Sequence, residues 1–325
     1  MYPETEIKSL INKALTSTVT RNTPVELYDP ILYSILAGGK RIRPTLCLLC
    51  YNLFKEIIDS NALMPAIGLE IFHGFTLIHD DIMDNAEIRR GNPTVHKKWS
   101  KNTAILSGDA MCIEAYRFIS QTHADKLPKV LEVFNKTAAQ VCEGQQFDLM
   151  FETKFLISED DYLTMIGLKT AALIASSAKI GAIIAEASIT DCKNLYNFGY
   201  NLGMAFQIQD DVLDTYGNPN IFGKTIGGDI ISNKKTFLLV SALIRAQGQQ
   251  MNSLEDLLKS NNIDNDEKIK KIKTIFDTLE IKQLAETKIN QYFNTAIEYL
   301  NKIDIKEHRK EYIIDFVNEL VRRKY

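Results

Sequence analysis

The sequence predicts an all-α protein, on three observations. Almost every long segment repeats its apolar residues at helical spacing. No stretch alternates convincingly as a strand would. The eight prolines are too few to break the pattern often, and Pro24, Pro30, Pro44, Pro65, Pro93, Pro128 and Pro219 fall at expected starts, ends or loops.

Taken in order, helices are expected near 4–19, 26–37, 44–54 and 61–83, the last being apolar and proline-free from Ala66 to Met83. Further helices are expected near 100–121, 127–152 and 159–187, the third holding the small-residue run Ala171 to Ala178. The segment 191–214 is apolar from Leu195 to Phe206, and 234–247, 265–278, 280–300 and 307–323 complete the series. The polar, Asn-rich stretch from Gln247 to Glu267 reads as a surface excursion. No linker rich in Gly, Ser or Pro divides the chain, so residues 1–325 are expected to form a single large helical bundle.

Composition bounds the function. A chain of 325 residues with 45% hydrophobic content can bury a large core. A formal charge of −3 and a pI near 6.0 give no general pull toward nucleic acid. The stretch Met1 to Leu10 is polar and mixed in charge, so no signal peptide is evident. No uninterrupted apolar run reaches about 18 residues, so no membrane span is expected. The five cysteines (Cys47, Cys50, Cys112, Cys142, Cys192) are odd in number and lie in helical patterns, which suits a reducing cytoplasm. Cys47 and Cys50 form a C-x-x-C without a second pair at zinc spacing, and read as core thiols.

The chemistry concentrates at two helix ends. Ile78-His79-Asp80-Asp81-Ile82-Met83-Asp84 puts three carboxylates within five residues. On a helix Asp80 and Asp84 share a face, and Asp81 flanks them. Two such anions about 4 Å apart repel by roughly 4 kcal/mol at an effective dielectric near 20. A divalent cation reverses that sign, and hard oxygen ligands suit Mg2+, held by one or two carboxylates plus substrate phosphates. Ile208-Gln209-Asp210-Asp211-Val212-Leu213-Asp214 repeats the pattern after a second apolar segment. If the two helices face each other, six carboxylates frame one cavity.

Cations accompany these groups. Gly38-Gly39-Lys40-Arg41-Ile42-Arg43-Pro44 joins a flexible backbone to three cations and a helix-opening proline, a combination suited to diphosphate. Arg89-Arg90-Gly91 follows the first carboxylates, where two arginines could clamp phosphate oxygens. Gln145 and Asp148 share a helix face and could orient metal-bound waters; a satisfied polar core patch explains them almost as well. Lys169-Thr170 precedes the small-residue run, which places an ammonium at the rim of a close helix contact. The stretch from Gly217 to Asp229 is glycine-rich, carries Lys224 and leads to Lys234-Lys235, which reads as a lid over an anion. It lacks the P-loop spacing and no strand precedes it. The basic C-terminus, Arg322-Arg323-Lys324, reads as a frayed tail.

Together, GGKRIRP at 38–44, DDIMD at 80–84, RRG at 89–91, GQQFD at 144–148, KT at 169–170, QIQDDVLD at 207–214, and GK with GGD at 223–229 resemble the trans-prenyl diphosphate synthase family from Gly38 to about Lys235. The resemblance implies an all-α fold with a deep central cavity, a homodimer, and three Mg2+ ions, replaceable by Mn2+, holding an allylic diphosphate. It implies Asp80, Asp84 and Asp210 as direct metal ligands, with Asp81, Asp211 and Asp214 supporting them. It places Arg89, Lys169, Thr170, Gln207, Lys224 and Lys234 toward the allylic diphosphate; Lys235 competes with Lys234 for that place. Lys40, Arg43, His73 and Arg90 would hold isopentenyl diphosphate. The reaction implied is head-to-tail condensation with release of diphosphate. Alternatives are a longer-chain synthase or a non-catalytic subunit; subunits of that kind typically lose an aspartate motif, and all six aspartates are present here.

Product length follows from the helix before Asp80. Phe72, Phe75 and Thr76 lie eight, five and four residues before it. An ideal wheel puts Thr76 nearest the Asp80 face and Phe75 well off it, so the resemblance, not geometry, selects Phe75 as the floor of the chain pocket. At about 7.5 Å along the helix and roughly 4–5 Å per isoprene unit, the space fits only a few units. A product of fifteen or twenty carbons is expected, twenty being favoured.

Overall fold

The computed structural model describes residues 1–18, 23–217, 227–260 and 263–321. The fold is all-α. The helices are α1 (Glu4–Thr18), α2 (Val25–Leu36), α3 (Ile42–Asn52), α4 (Ser60–Met83), α5 (Val95–Lys98), α6 (Lys101–Ile119), α7 (Leu127–Glu152), α8 (Glu159–Ile166), α9 (Ala172–Ile184) and α10 (Ile189–Tyr216). After them come Gly228–Ile231, Phe237–Arg245, Gln249–Lys259, Asn265–Thr278, Ile281–Asn301 and Glu311–Val321.

The described chain forms two compact units. The first comprises Met1–Asn135, Ser176–Tyr196 and Lys302–Phe316. Its centre is the pairing of α4 with α6, and glycines on these helices set the spacing. A Cβ on Gly68 would lie 2.9 Å from the Ala115 carbonyl oxygen, and one on Gly74 would lie 2.5 Å from the Met111 methyl. Phe72, which is 1% exposed, stacks edge-on against Phe134 at 5.1 Å. Burying such a ring contributes about 1.5–3 kcal/mol. Cys47 and Cys50 are core thiols, as expected; burial pushes Cys47 up to about 12 and lifts Cys50 well above the ordinary thiol range. Cys142 differs, being exposed on α7.

The second unit comprises Lys136–Ala175, Asn197–Asn301 and Val317–Tyr325. Its core gathers Tyr162, Met204, Ile208, Val212, Phe237, Leu238, Phe276 and Ile289. The expected helix 159–187 is interrupted by one π turn, Gly167–Ala171, beginning at a glycine that packs under the Tyr200 hydroxyl. Gln249–Lys259 is helical where a surface excursion was expected, because Leu254 and Leu257 bury one face of an otherwise polar segment. Pro30 and Pro65 lie inside helices rather than at their ends, and both are buried. A two-residue antiparallel ladder pairs Ile88 with Pro93 and Arg89 with Asn92, too short to show as alternation.

Two helical stretches, Ser60–Met83 and Glu159–Ile184, are long and apolar enough to cross a membrane, and 56% and 83% of their apolar windows are buried in the protein.

Candidate active site

In the first unit, Asp59 caps the start of α4, and Asp84 caps its end with its N–H on the Asp80 carbonyl at 2.9 Å. Asp80, Asp81 and Asp84 therefore crowd the last turn, where the helix dipole is already negative. The site demands positive charge. Arg89 supplies some: its Nε and Nη2 each lie 2.6 Å from Asp81 Oδ1, and Nη2 lies 3.7 Å from Asp80 Oδ2. Asp81 is 4% exposed; burial lifts its carboxyl to about 6 against the pull of Arg89, and Asp80 and Asp84 add to the rise.

The turn geometry then separates two neighbouring arginines. Arg90 and Gly91 have φ of 53° and 75°, the paired left-handed residues of a tight hairpin. While Arg89 reaches the aspartates, Arg90 Nη1 donates to the Gly38 carbonyl. A Cβ on Gly39 would sit 2.6 Å from Arg90 Nη2, so a glycine there lets the guanidinium lie flat on the backbone. The two segments singled out as cationic, joined here across 52 residues of sequence, thus meet.

Arg43 is buried, burial pulls its guanidinium down to about 10, and its Nε has no hydrogen-bond partner among the described residues. Burial, then Arg43, Arg90, Arg89 and Arg41, hold His73 neutral, well below the ordinary imidazole range. Lys40 is exposed at the edge. Beneath lies a buried ion pair that the sequence reading did not use: Arg41 Nη1 donates to Glu70 Oε1 at 2.7 Å and Nη2 to the Ile35 carbonyl at 2.7 Å. Removing one partner of such a pair costs about 3–5 kcal/mol. The signal was legible: Glu70 is a carboxylate inside an apolar helix and needed a partner.

Thr76 Oγ1 donates to the His73 carbonyl at 2.8 Å. Phe75 is half-buried between Phe72 at 5.4 Å and the His79 ring at 4.9 Å. His79 sits on Gly108, where a Cβ would clash at 2.3 Å, with Nε2 3.2 Å from the Ile105 carbonyl. That is a packing role.

In the second unit the repeated motif is held differently. Asp211 is 5% exposed. Its Oδ2 accepts from the Tyr162 hydroxyl at 2.6 Å and the Phe237 N–H at 2.8 Å; its Oδ1 accepts from Gln207 Nε2 at 3.1 Å. Burial, then Asp229, raise its carboxyl to about 7, while those three donors pull the other way. Gln207 Oε1 accepts from Thr170 Oγ1 at 2.9 Å, which fixes the amide's orientation. Asp214 Oδ2 accepts the Asp229 N–H at 3.0 Å. Asp210 is half-buried beside them.

Lys169 Nζ pairs with Asp148 Oδ2 at 2.6 Å. A Cβ on Gly144 would lie 2.3 Å from the Lys169 backbone nitrogen, so this glycine admits the π turn that carries the lysine. Gln145, three residues before Asp148, is half-buried on the same helix. Lys235 is buried, with Nζ 3.4 Å from the Asn233 carbonyl, whereas Lys234 is half-buried and lines a small cavity with Asp229. Residues 218–226 of the expected lid, Lys224 among them, and the basic C-terminus lie outside the described residues. Among the described residues, no three His, Cys, Asp or Glu side chains converge as a ready-made metal cage.

Helix-end carboxylates served by arginines, in an all-α chain, define a helical isoprenoid synthase. The chain belongs to the polyprenyl synthetase family, whose model matches residues 24–276. It is 38% identical to the geranylgeranyl diphosphate synthase of Methanosarcina mazei over 72% of each chain. It is 34% identical to that of Sulfolobus acidocaldarius over 96% of each. A crystal structure of a geranylgeranyl pyrophosphate synthase, 39% identical, matches all of both chains with a TM-score of 0.94. That from Pyrococcus horikoshii, 32% identical, covers 99% of this chain and 97% of its own with a TM-score of 0.91. With its family, the chain is a prenyltransferase.

Proposed function

We propose that this protein condenses isopentenyl diphosphate with an allylic diphosphate, head to tail, to give geranylgeranyl diphosphate, with farnesyl diphosphate as the shorter alternative. One observation carries the reading. In a single unit, a helix end bearing three carboxylates adjoins a cluster of cations, with Arg89 bound to the first and Arg90 to the second. Carboxylates suit Mg2+, and the cations suit a diphosphate.

The donor set fits the metal: hard carboxylate oxygens stand on a negative helix end, where burial lifts Asp81 to about 6 and the neighbouring Asp80 and Asp84 add to the rise. Asp80, Asp84 and Asp210 would hold Mg2+, with Asp81, Asp211 and Asp214 in support and Gln145 and Asp148 orienting bound waters. Bound there, Mg2+ (or Mn2+) stabilises charge on the leaving diphosphate. Arg89, Lys169, Gln207, Lys224 and Lys234 orient the allylic diphosphate, and Thr170 fixes Gln207. The allylic C–O bond breaks and diphosphate keeps the electron pair. Lys40, Arg43 and Arg90 hold the second diphosphate. His73, kept neutral, serves as a hydrogen-bonding partner there. The isopentenyl alkene attacks the allylic cation, and the resulting cation loses a proton, for which the departed diphosphate is the acceptor. Apolar walls keep water from the cation. We further read the chain as a single domain, a homodimer and a cytoplasmic enzyme without nucleic-acid partners or a membrane span.

Purified protein should release diphosphate and lengthen an allylic primer when given isopentenyl diphosphate and Mg2+. Chromatography of the dephosphorylated alcohols reads the product. No turnover with any of the dimethylallyl, geranyl and farnesyl primers would overturn the reading.

A further inference from the structure

A buried lysine outside every motif holds the loop that carries Lys234. Lys268, on Asn265–Thr278, is 5% exposed. Its Nζ donates to Asn233 Oδ1 at 2.7 Å and to the Ile231 carbonyl at 3.2 Å. A buried ammonium is expensive unless its donors are used, and here the contacts go to one short loop. Asn233 has φ of 54°, the left-handed residue that follows the helix Gly228–Ile231. Its Nδ2 donates to the Leu258 carbonyl at 3.0 Å, and its own carbonyl lies 3.4 Å from Lys235 Nζ. All four polar groups of Asn233 are engaged, since its N–H reaches the Ile230 carbonyl at 3.2 Å.

The next residue is gripped on both sides. The Lys234 N–H donates to the Asp229 carbonyl at 2.9 Å, and its carbonyl accepts the Thr236 N–H at 2.8 Å. Asp229 in turn gives its N–H to Asp214. A continuous path therefore runs from Lys268 through Asn233 and Lys234 to Asp229 and the second aspartate group.

We propose that Lys268, acting through Asn233, is a positioning residue: it fixes the backbone that presents Lys234 alongside Asp214, and so tunes use of the allylic diphosphate. This rests on the reading of Lys234 above. Lys268→Met keeps the side chain's length and removes the donors. It should raise KM for the allylic diphosphate by about tenfold, the scale of coupling within one hydrogen-bond network, and leave KM for isopentenyl diphosphate within twofold of wild type. A purely structural role would reduce active protein and shift neither KM.

Asn233→Gly is the second variant, since glycine accepts the left-handed backbone while deleting both side-chain bonds. It should shift the same KM in the same direction, and the double variant should be no worse than the poorer single one. If Lys268→Met does not fold, Asn233→Gly decides. Wild-type values of both KM in the variants would overturn the assignment. A wild-type enzyme that turns over while Lys234→Ala leaves allylic KM and kcat unchanged would instead fault the reading of Lys234.

Discussion

The two aspartate groups are near copies in sequence, yet the protein holds them by different means. Asp81 is bound by Arg89, a side chain on a two-residue hairpin. Asp211 is bound by the Tyr162 hydroxyl and by the Phe237 N–H at the start of a helix, with Gln207 completing its shell. The first partner is charged and half-buried. The second set is neutral and belongs to the core. Equivalent positions in a repeated motif are thus held by unlike partners, one by a charged side chain on a short ladder and the other by neutral groups of the core.

The largest test of this comparison removes its outer members. Asp80→Ala and Asp210→Ala should each lower kcat by about 10³-fold or more, because the charge lost acts mainly in the transition state. Circular dichroism should show unchanged helix content. Full turnover in EDTA would remove metal from the account.

The inner members should separate. Asp211→Ala strips three donors of their acceptor inside the core and should destabilise by about 2–4 kcal/mol in urea unfolding. Asp81→Ala leaves only a half-buried arginine and should cost about 1 kcal/mol. Equal losses would mean that the two shells are equivalent after all.

The cation sets should divide by substrate. Lys40→Ala or Arg43→Ala should raise KM for isopentenyl diphosphate about tenfold, more than for the primer. Lys224→Ala should do the reverse or lower kcat. Equal effects on both substrates from all three would dissolve the assignment.

His73 gives a smaller, signed effect. Its folded-state pKa lies well below the unfolded value of 6.5, so the unfolded chain binds more protons. The contribution of this group to stability is full above pH 6.5 and is lost as pH falls below it. Replacing it with neutral glutamine should shrink the fall in Tm between pH 7.5 and 5.5; an unchanged fall would mean that the imidazole titrates normally.

The helices around both groups were legible because a run such as Ala66 to Met83 leaves little choice of structure. Asp80 and Asp210 were legible for a similar reason: clustered carboxylates after an apolar helix need a cation. Tyr162 was not, because it meets Asp211 from 49 residues away and nothing local marks a tyrosine as a partner. Lys268 sits in a lysine-rich helix, where only burial distinguishes it from its solvated neighbours. Gln249–Lys259 was missed because two leucines were too few to outweigh its polar residues. The spacing of Gln145 and Asp148 was legible, but the Lys169 partner of Asp148 was not, because it lies 21 residues away on another segment.

The last test concerns the helix that carries the first group. Phe75 belongs to an aromatic run in which Phe134, Phe72, Phe75 and His79 stack in turn. Phe72 is buried at 1% exposure, so truncating it would open a core cavity and cost about 3–5 kcal/mol. Phe75 is only half-buried, and Thr76 spends its hydroxyl on the His73 carbonyl. Of the three, Phe75 can change with the least damage to the core. Phe75→Ala should therefore keep most of the stability and lengthen the product by at least one isoprene unit. An unaltered chromatogram of products would exclude Phe75 as the floor of the pocket. The same measurement on Phe72→Ala, corrected for its loss of folded protein, would then decide whether the limit lies one turn deeper.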